Sequence, residues 1–278
     1  MSRTPFLDKL KNPIVFCIGG IGDLLLVLST VPKDIKTIDV ICWATNDATL
    51  KGVLKELQSS NIKLFPFTID KTIVFQSWQT KELFDDIVQH PNFLTKGHVP
   101  DNLDYIGEWT NHADKYLDKI LPQEFNDHGE RTKISLALYG SATEQWKRRR
   151  ATKEEACVIG RTMMKKSEEE YGADIMLLGG ENDVYEFDYP MPCAIVATKA
   201  PFIEQCKIIT ESSHLYTVDT WYKTFASLFC PGTKVTIIRS EYIVPLTQVF
   251  ASGIDPSDNI FLNPRWGFEF TTFKELSL

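Results

Sequence analysis

The chain has 278 residues, and its 30 Lys+Arg against 37 Asp+Glu give a formal net charge of −7; the length exceeds one typical domain of roughly 100–200 residues and suits two. With 43% hydrophobic and 24% charged residues, and only 15 Gly and 14 Pro, disordered, collagen-like and low-complexity classes fall away. A sequence pI near 5.3 removes any broad attraction to phosphate polymers or anionic lipid, so contact with nucleic acid would need a local basic patch.

In chain order, Ile14-Val15-Phe16-Cys17-Ile18 is short, apolar and bounded by Pro13 and Gly19-Gly20, which predicts a buried strand. Leu24 to Val31 has the leucine content of a buried helix, and Pro32 closes it. Residues 37–43 then predict a strand, 46–58 a helix and 62–67 a strand, an alternation that builds a mainly parallel sheet covered by helices. From Lys81 to Leu121 the pattern turns helical and aromatic, with Tyr105, Trp109 and Tyr116, and suggests no chemistry. Pro122 to Glu130 is polar and rich in breakers and reads as a linker. The alternation then restarts with a strand at 133–139, a helix at 152–169 and a strand at 174–178 that ends on Gly179-Gly180. Strands at 193–196 and 215–218, a helix at 222–229 and a strand at 233–238 complete it. The expected fold class is α/β, with two Rossmann-like domains, residues 1–128 and 129–278, facing one another across a cleft.

The six cysteines, at 17, 42, 157, 193, 206 and 230, form no C-x-x-C pair, and several sit in apolar runs. Buried thiols in a reducing compartment are expected. The N-terminus lacks the charged-then-apolar order of a secretory signal, and no run approaches the roughly 18 apolar residues of a membrane span. A cytoplasmic protein without an integral membrane segment is the expectation. Five histidines, at 90, 98, 112, 128 and 214, show neither H-x-x-x-H nor H-E-x-x-H spacing, so no metal and no other cofactor is expected.

Three strand-to-helix turns carry the chemistry. Gly19-Gly20-Ile21-Gly22-Asp23 follows the first strand; its glycines let a ligand approach the backbone, and the amides of a helix start favour an anion. It is not a dinucleotide fingerprint, because the third glycine of G-x-G-x-x-G would fall on Leu25, and the Walker Lys-Ser/Thr pair is missing. Asp23 reads equally as the cap of the helix or as a base that accepts a hydroxyl proton. In Gly140-Ser141-Ala142-Thr143, followed by Lys147-Arg148-Arg149-Arg150, hydroxyls and cations could together hold a diphosphate; a solvated basic loop is the plainer alternative. Val218-Asp219-Thr220-Trp221-Tyr222-Lys223 again leads from a strand into a helix, and offers either amides to a phosphate or an ordinary cap by Asp219 or Thr220.

Taken together, these segments resemble glycosyltransferase family 9, the heptosyltransferase-like enzymes of the GT-B fold. The resemblance is carried by Gly22-Asp23-Leu24-Leu25-Leu26 with Pro32, by Gly140-Ser141-Ala142-Thr143 with the cations at 147–150, by Leu177-Leu178-Gly179-Gly180, and by Val218-Asp219-Thr220 followed by Phe225-Ala226-Ser227-Leu228 and Lys234-Val235-Thr236-Ile237-Ile238. It implies that Asp23 is a general base beside the glycines Gly19, Gly20 and Gly22, which form the acceptor or phosphate loop. It also implies that the second domain holds a nucleotide-sugar donor through Ser141, Thr143, Lys147, Arg149, Gly179, Gly180, Asp219, Thr220 and Lys223. Where family members often follow Asp-Thr with a glycine and later a histidine, this chain has Trp221 and Thr224; Lys223 would then supply a cation beside the diphosphate.

The expected activity is metal-independent, inverting transfer of a hexosyl, heptosyl or pentosyl group from a nucleoside-diphosphate sugar, a substrate rather than a cofactor, to an acceptor hydroxyl. The resemblance implies a saccharide acceptor, such as a lipopolysaccharide core sugar. One alternative is a hydroxymethylated base in DNA, as for some viral GT-B enzymes, with Lys96, His98 or Lys147 to Arg150 as the basic groove. Another is a non-catalytic nucleotide-binding protein of the same fold, which Trp221 favours; a dehydrogenase is a weaker rival because the fingerprint is incomplete.

Overall fold

A computed structural model describes residues 7–17, 20–31, 34–44, 46–67, 89–94, 131–140, 150–169, 172–218, 220–230, 232–239, 269–272 and 275–277. Phe16, Asp23, Leu26, Thr30, Trp43, Phe67, Arg239, Phe270 and Ser277 are described in their backbone alone. The chain divides into two compact units, Met1–Pro122 and Gln123–Leu278. The linker expected at 122–130 lies outside the described residues.

In the first unit β1 (Ile14–Cys17), β2 (Ile38–Trp43) and β3 (Ile62–Phe67) form a parallel sheet in the order β1-β2-β3. Pro66 is tolerated in β3 because that strand pairs only with β2 among the described residues, so its missing N–H is lost from an edge. Helix α1 (Ile21–Thr30) turns Leu24, Leu25, Val27 and Leu28 into the core. Helix α2 (Asp47–Glu56) buries Leu50, Val53 and Leu54, the i, i+3, i+4 stripe of an amphipathic helix. It stops where Gln58 adopts a left-handed φ of 52° and the Ser59 N–H bonds back to Leu54 C=O at 2.9 Å, a Schellman ending without the usual glycine. On the free side of β1, residues 92–94 run parallel to it: Ile14 N–H donates to Asn92 C=O (2.9 Å) and Leu94 N–H to Ile14 C=O (3.1 Å).

The second unit contains β4 (Lys133–Ala137), α3 (Lys153–Glu169), β5 (Asp174–Leu177), β6 (Ala194–Val196), α4 (Phe202–Thr210), β7 (Ser212–Thr217), α5 (Trp221–Phe229), β8 (Lys234–Arg239) and β9 (Glu269–Thr272). All its strand pairs are parallel, in the order β6-β5-β4-β7-β8-β9. Counted within the unit this is 3-2-1-4-5-6, the doubly wound order of dinucleotide-binding sheets. The central strand β4 is buried from Ile134 onward, as expected of a strand covered on both faces. Its neighbours Leu136, Leu138, Ile175 and Leu177 form the core with Ile159 and Met163 of α3.

The structure changes four expectations. Helix α1 begins at Ile21, three residues before the leucine run, because the helix continues through Gly22 and Asp23. Strand β7 begins at Ser212, so its first half is polar and lacks the apolar signal of a buried strand. Helix α4 and strand β9 carry no counterpart in the sequence reading. None of the six cysteines joins a disulfide, and five are buried. Burial pushes the thiols of Cys42 and Cys230 up to about 11 and about 12, so both stay protonated near neutral pH. Among the described residues, no helix is long and apolar enough to cross a membrane.

Candidate functional site

In the second sheet the chain leaves β4 towards β5 on one side and leaves β7 towards β8 on the other, although β4 and β7 are neighbours. The two connections diverge at the carboxyl ends of these strands, which is where ligands bind in sheets of this order. The second-unit groups described next lie at this edge.

A web of buried polar bonds holds the turns of the edge. The Tyr185 hydroxyl accepts from Leu138 N–H (3.0 Å) and donates to Leu178 C=O (2.8 Å), with Leu136 C=O 3.1 Å away, and so ties the ends of β4 and β5 together. Gln205 of α4 donates from Nε2 to Ala200 C=O (2.8 Å) and Gly179 C=O (3.2 Å), while its Oε1 accepts from the Tyr222 hydroxyl of α5 (2.6 Å). That one amide fixes the β5 turn against the starts of two helices. Burial raises both phenols above their ordinary range, so they act as neutral hydrogen-bonding groups and not as bases.

The turn after β7 is closed by its own hydroxyls. Thr220 is the N-cap of α5, yet its Oγ1 lies 2.9 Å from Thr217 Oγ1 and makes no capping bond to the helix. Trp221 opens the helix and packs on Phe202, the first residue of α4, with ring centroids 4.9 Å apart. Trp221 is therefore accommodated sideways, against the neighbouring helix. Lys223 lies on the third helical position and is 9% exposed.

The glycine pair after β5 serves the turn itself. A Cβ on Gly179 would stand 2.8 Å from Asp183 Cβ and 3.2 Å from Thr198 Cγ2, too close to tolerate. The Gly180 N–H donates to Asp183 Oδ2 at 2.6 Å. The other oxygen, Oδ1, accepts from Arg150 Nη2 at 2.7 Å. Of the four cations at 147–150, Arg150 is thus paired with Asp183, while the side chains of Lys147, Arg148 and Arg149 lie outside the described residues.

In the first unit Gly20 is the N-cap of α1 and makes no side-chain cap bond. Asp23 is then the third helical residue and does not occupy the cap position, so the reading of Asp23 as the N-cap is overturned. Gly22 belongs to the first helical turn. The Asp23 side chain, Gly19, Ser141, Thr143, Lys147, Arg149 and Asp219 lie outside what is described. Of the expected donor set, Gly179, Gly180, Thr220 and Lys223 are described, on the β5 turn and the start of α5. Sequence reasoning missed Tyr185, Gln205, Tyr222 and Asp183. Alternating aromatics, Tyr185, Phe187 and Tyr189, were the available signal for the first. Gln205 and Asp183 gave none. Among the described residues no three His, Cys, Asp or Glu side chains gather as a metal site would require.

No family model matches the chain, and no curated protein matches it. Solved structures do. The chain is similar to heptosyltransferases of E. coli. Against ADP-heptose lps heptosyltransferase II the identity is 11%, with 96% of this chain and 94% of that chain covered at a TM-score of 0.48. Against heptosyltransferase WaaC with ADP it is 10%, with 93% and 92% covered at 0.40. Against WaaC with ADP-2-deoxy-2-fluoro heptose it is 9%, with 81% and 88% covered at 0.36.

Proposed function

We propose that this protein is a metal-independent, inverting glycosyltransferase of the GT-B kind, working in the cytoplasm, with the donor held by the second unit and the acceptor by the first. The observation that supports the reading is the 3-2-1-4-5-6 order of the second sheet, because in sheets of this order ligands bind beyond the carboxyl ends of the strands, where Gly179 and Gly180 follow β5 and Thr220 follows β7. An acceptor hydroxyl attacks the anomeric carbon of the sugar. The bond from that carbon to the diphosphate oxygen breaks, and the nucleoside diphosphate leaves with the electron pair. Asp23 takes the hydroxyl proton, a contribution of roughly 10²–10⁴-fold for a positioned base. With one base and no covalent intermediate, the anomeric configuration inverts. Lys147, Arg149 and Lys223 neutralise the leaving diphosphate, while the Ser141 and Thr143 hydroxyls and the amides at the start of α5 near Asp219 donate hydrogen bonds to it. The acceptor is a saccharide hydroxyl; retention on DNA that weakens with salt would point instead to a modified base.

The test is release of nucleoside diphosphate from a panel of nucleotide-sugars. Asp23→Asn is expected to lower turnover by on the order of 10²-fold or more while donor binding persists. The reading fails if no donor is turned over, or if Asp23→Asn works at the parent's rate. Trp221 at the first position of α5 favours a second reading, a nucleotide-binding protein without turnover, which binding without release would support.

A further inference from the structure

The geometry points to Gln205 as a positioning residue for the donor, whose side-chain amide sets the first turn of α5, where a nucleotide's diphosphate would meet backbone N–H groups, against the turn after β5; this rests on the donor reading above. The strand order puts these two segments on opposite sides of the divergence between β4 and β7, since β5 lies beside β4 while α5 follows β7. Gln205 stands on a third element, α4, and reaches both. The carbonyl oxygens of Ala200 (2.8 Å) and Gly179 (3.2 Å) can only accept, so they fix Nε2 on their side. Oε1 is thereby turned to α5, where it accepts the Tyr222 hydroxyl at 2.6 Å. With both N–H donors and the oxygen engaged, the amide has one orientation.

The start of α5 is not held by its own cap. Thr220 makes no side-chain bond to the helix, because its Oγ1 lies 2.9 Å from Thr217 Oγ1. The first turn is anchored one and two residues further on, by the packing of Trp221 on Phe202 and by the Tyr222 hydroxyl on Gln205. Gln205 and Tyr222 are both buried, so no water takes the place of a lost partner, and losing the bond displaces or loosens the turn. Gln205 need not touch the ligand: it acts through the backbone of Gly179 and of Trp221, Tyr222 and Lys223. Holding those groups in place beforehand lowers the ordering that a diphosphate must impose on binding. The effect falls on the phosphates and leaves the nucleoside alone.

The test is calorimetric binding of ADP, GDP, UDP and CDP, each beside its nucleoside, to the full chain. The parent is expected to bind one diphosphate more tightly than the matching nucleoside. Gln205→Met keeps the length of the side chain and none of its bonds, and should lower that preference about tenfold; Tyr222→Phe, which loses one hydroxyl, should lower it about threefold, both within the roughly hundredfold that an ångström's misplacement can cost. Nucleoside affinity stays at the parent's value. Gln205→Glu separates positioning from packing. Its carboxyl, once protonated, can again donate to a backbone carbonyl, and burial favours that form, so the preference should recover towards the parent's from about pH 8 to about pH 6, each compared with the parent at the same pH. Ser135→Ala, which loses the 2.7 Å bond to Ser212 at the amino edge of the same sheet, should lower the urea midpoint and leave the preference unchanged. Circular dichroism verifies folding, and Tyr222→Phe carries the test if the Gln205 variants do not fold. The inference is overturned if Gln205→Met or Tyr222→Phe keeps the parent's preference, if nucleoside affinity falls by the same factor, if Gln205→Glu stays at the level of Gln205→Met across that pH range, or if Ser135→Ala lowers the preference as much. If the parent itself shows no such preference, the donor reading falls and takes the inference with it; if only the variants fail to differ, the donor reading stands.

Discussion

The amino and carboxyl edges of the two sheets use polar side chains differently. At the amino edges polar groups close the structure on itself. Asp39, 1% exposed, accepts from the N–H groups of Lys11 (2.9 Å) and Asn12 (3.0 Å) and from Asn12 Nδ2 (2.7 Å), stapling the segment that enters β1. In the second unit Ser135 and Ser212 hydroxyls meet at 2.7 Å, Lys133 pairs with Glu211, and His214 Nε2 lies 2.8 Å from Thr236 Oγ1. At the carboxyl edge of the second sheet the bonds run instead to turn backbone: Tyr185 to Leu138 and Leu178, Gln205 to Gly179, Asp183 to Gly180. One edge seals strands; the other fixes the bases of turns. Substitutions at the amino edge should accordingly change stability without touching nucleotide binding, and this division can be broken by experiment.

The largest expected effect is at Asp39. Asp39→Ala leaves two backbone N–H groups and a side-chain amide without their acceptor, a cost of about 2–4 kcal/mol in urea unfolding, with unchanged nucleotide affinity. A parallel fall in affinity would erase the distinction between the edges. Next comes acid. Burial first, then the nearby Lys234 and Lys166, push His214 down to about 4, with Glu269 opposing them. In the unfolded chain a histidine titrates near its ordinary value of about 6.5. Between these values the unfolded state binds a proton that the folded state refuses, so stability is intact above about pH 6.5, falls as pH drops towards 4, and levels off below. The slope attributable to one proton is about 1.4 kcal/mol per pH unit at most. Urea midpoints measured across that window should flatten in His214→Gln; an unchanged slope would assign the acid sensitivity elsewhere.

Tyr185→Phe probes the carboxyl edge. It leaves the Leu138 N–H and Leu178 C=O without their bridge, a loss of about 1–3 kcal/mol, and it should also weaken diphosphate binding, which the amino-edge variants leave alone. The smallest effect sharpens the baseline. Arg161 and Asp188 pair at 2.8 Å with side chains 57% and 55% exposed, and Asp188→Asn should change the urea midpoint by less than about 1 kcal/mol.

Much of the architecture was legible in the sequence because buried parallel strands are short continuous apolar runs, and glycine turns mark their ends. β1, β2, β3, β4, β5 and β8 announced themselves this way. β7 was seen only in part, since Ser212, Ser213 and His214 interrupt the apolar pattern and are satisfied by tertiary partners instead. α4 escaped because Gln205 sits on its buried face, where its amide bonds the β5 turn and Tyr222. The glycines at 179 and 180 were legible as a turn, but that the Gly180 amide is taken by Asp183 follows from a fold-back of the chain that no spacing announces.

The sequence by itself determined the two-part α/β plan, the acidic balance that hides a run of four cations, and the strand-to-helix turns where an anion could be met. Those are local matters of periodicity, breakers and charge. Tertiary structure alone decided the strand order of the second sheet, the place of Asp23 inside a helix that Gly20 caps, and the pairing of Arg150 with Asp183. These depend on which groups come together across distances of 33 residues for Arg150 and Asp183 and 47 for Leu138 and Tyr185. A residue's type shows what it can bond, while only the closed fold shows which partner reaches it first.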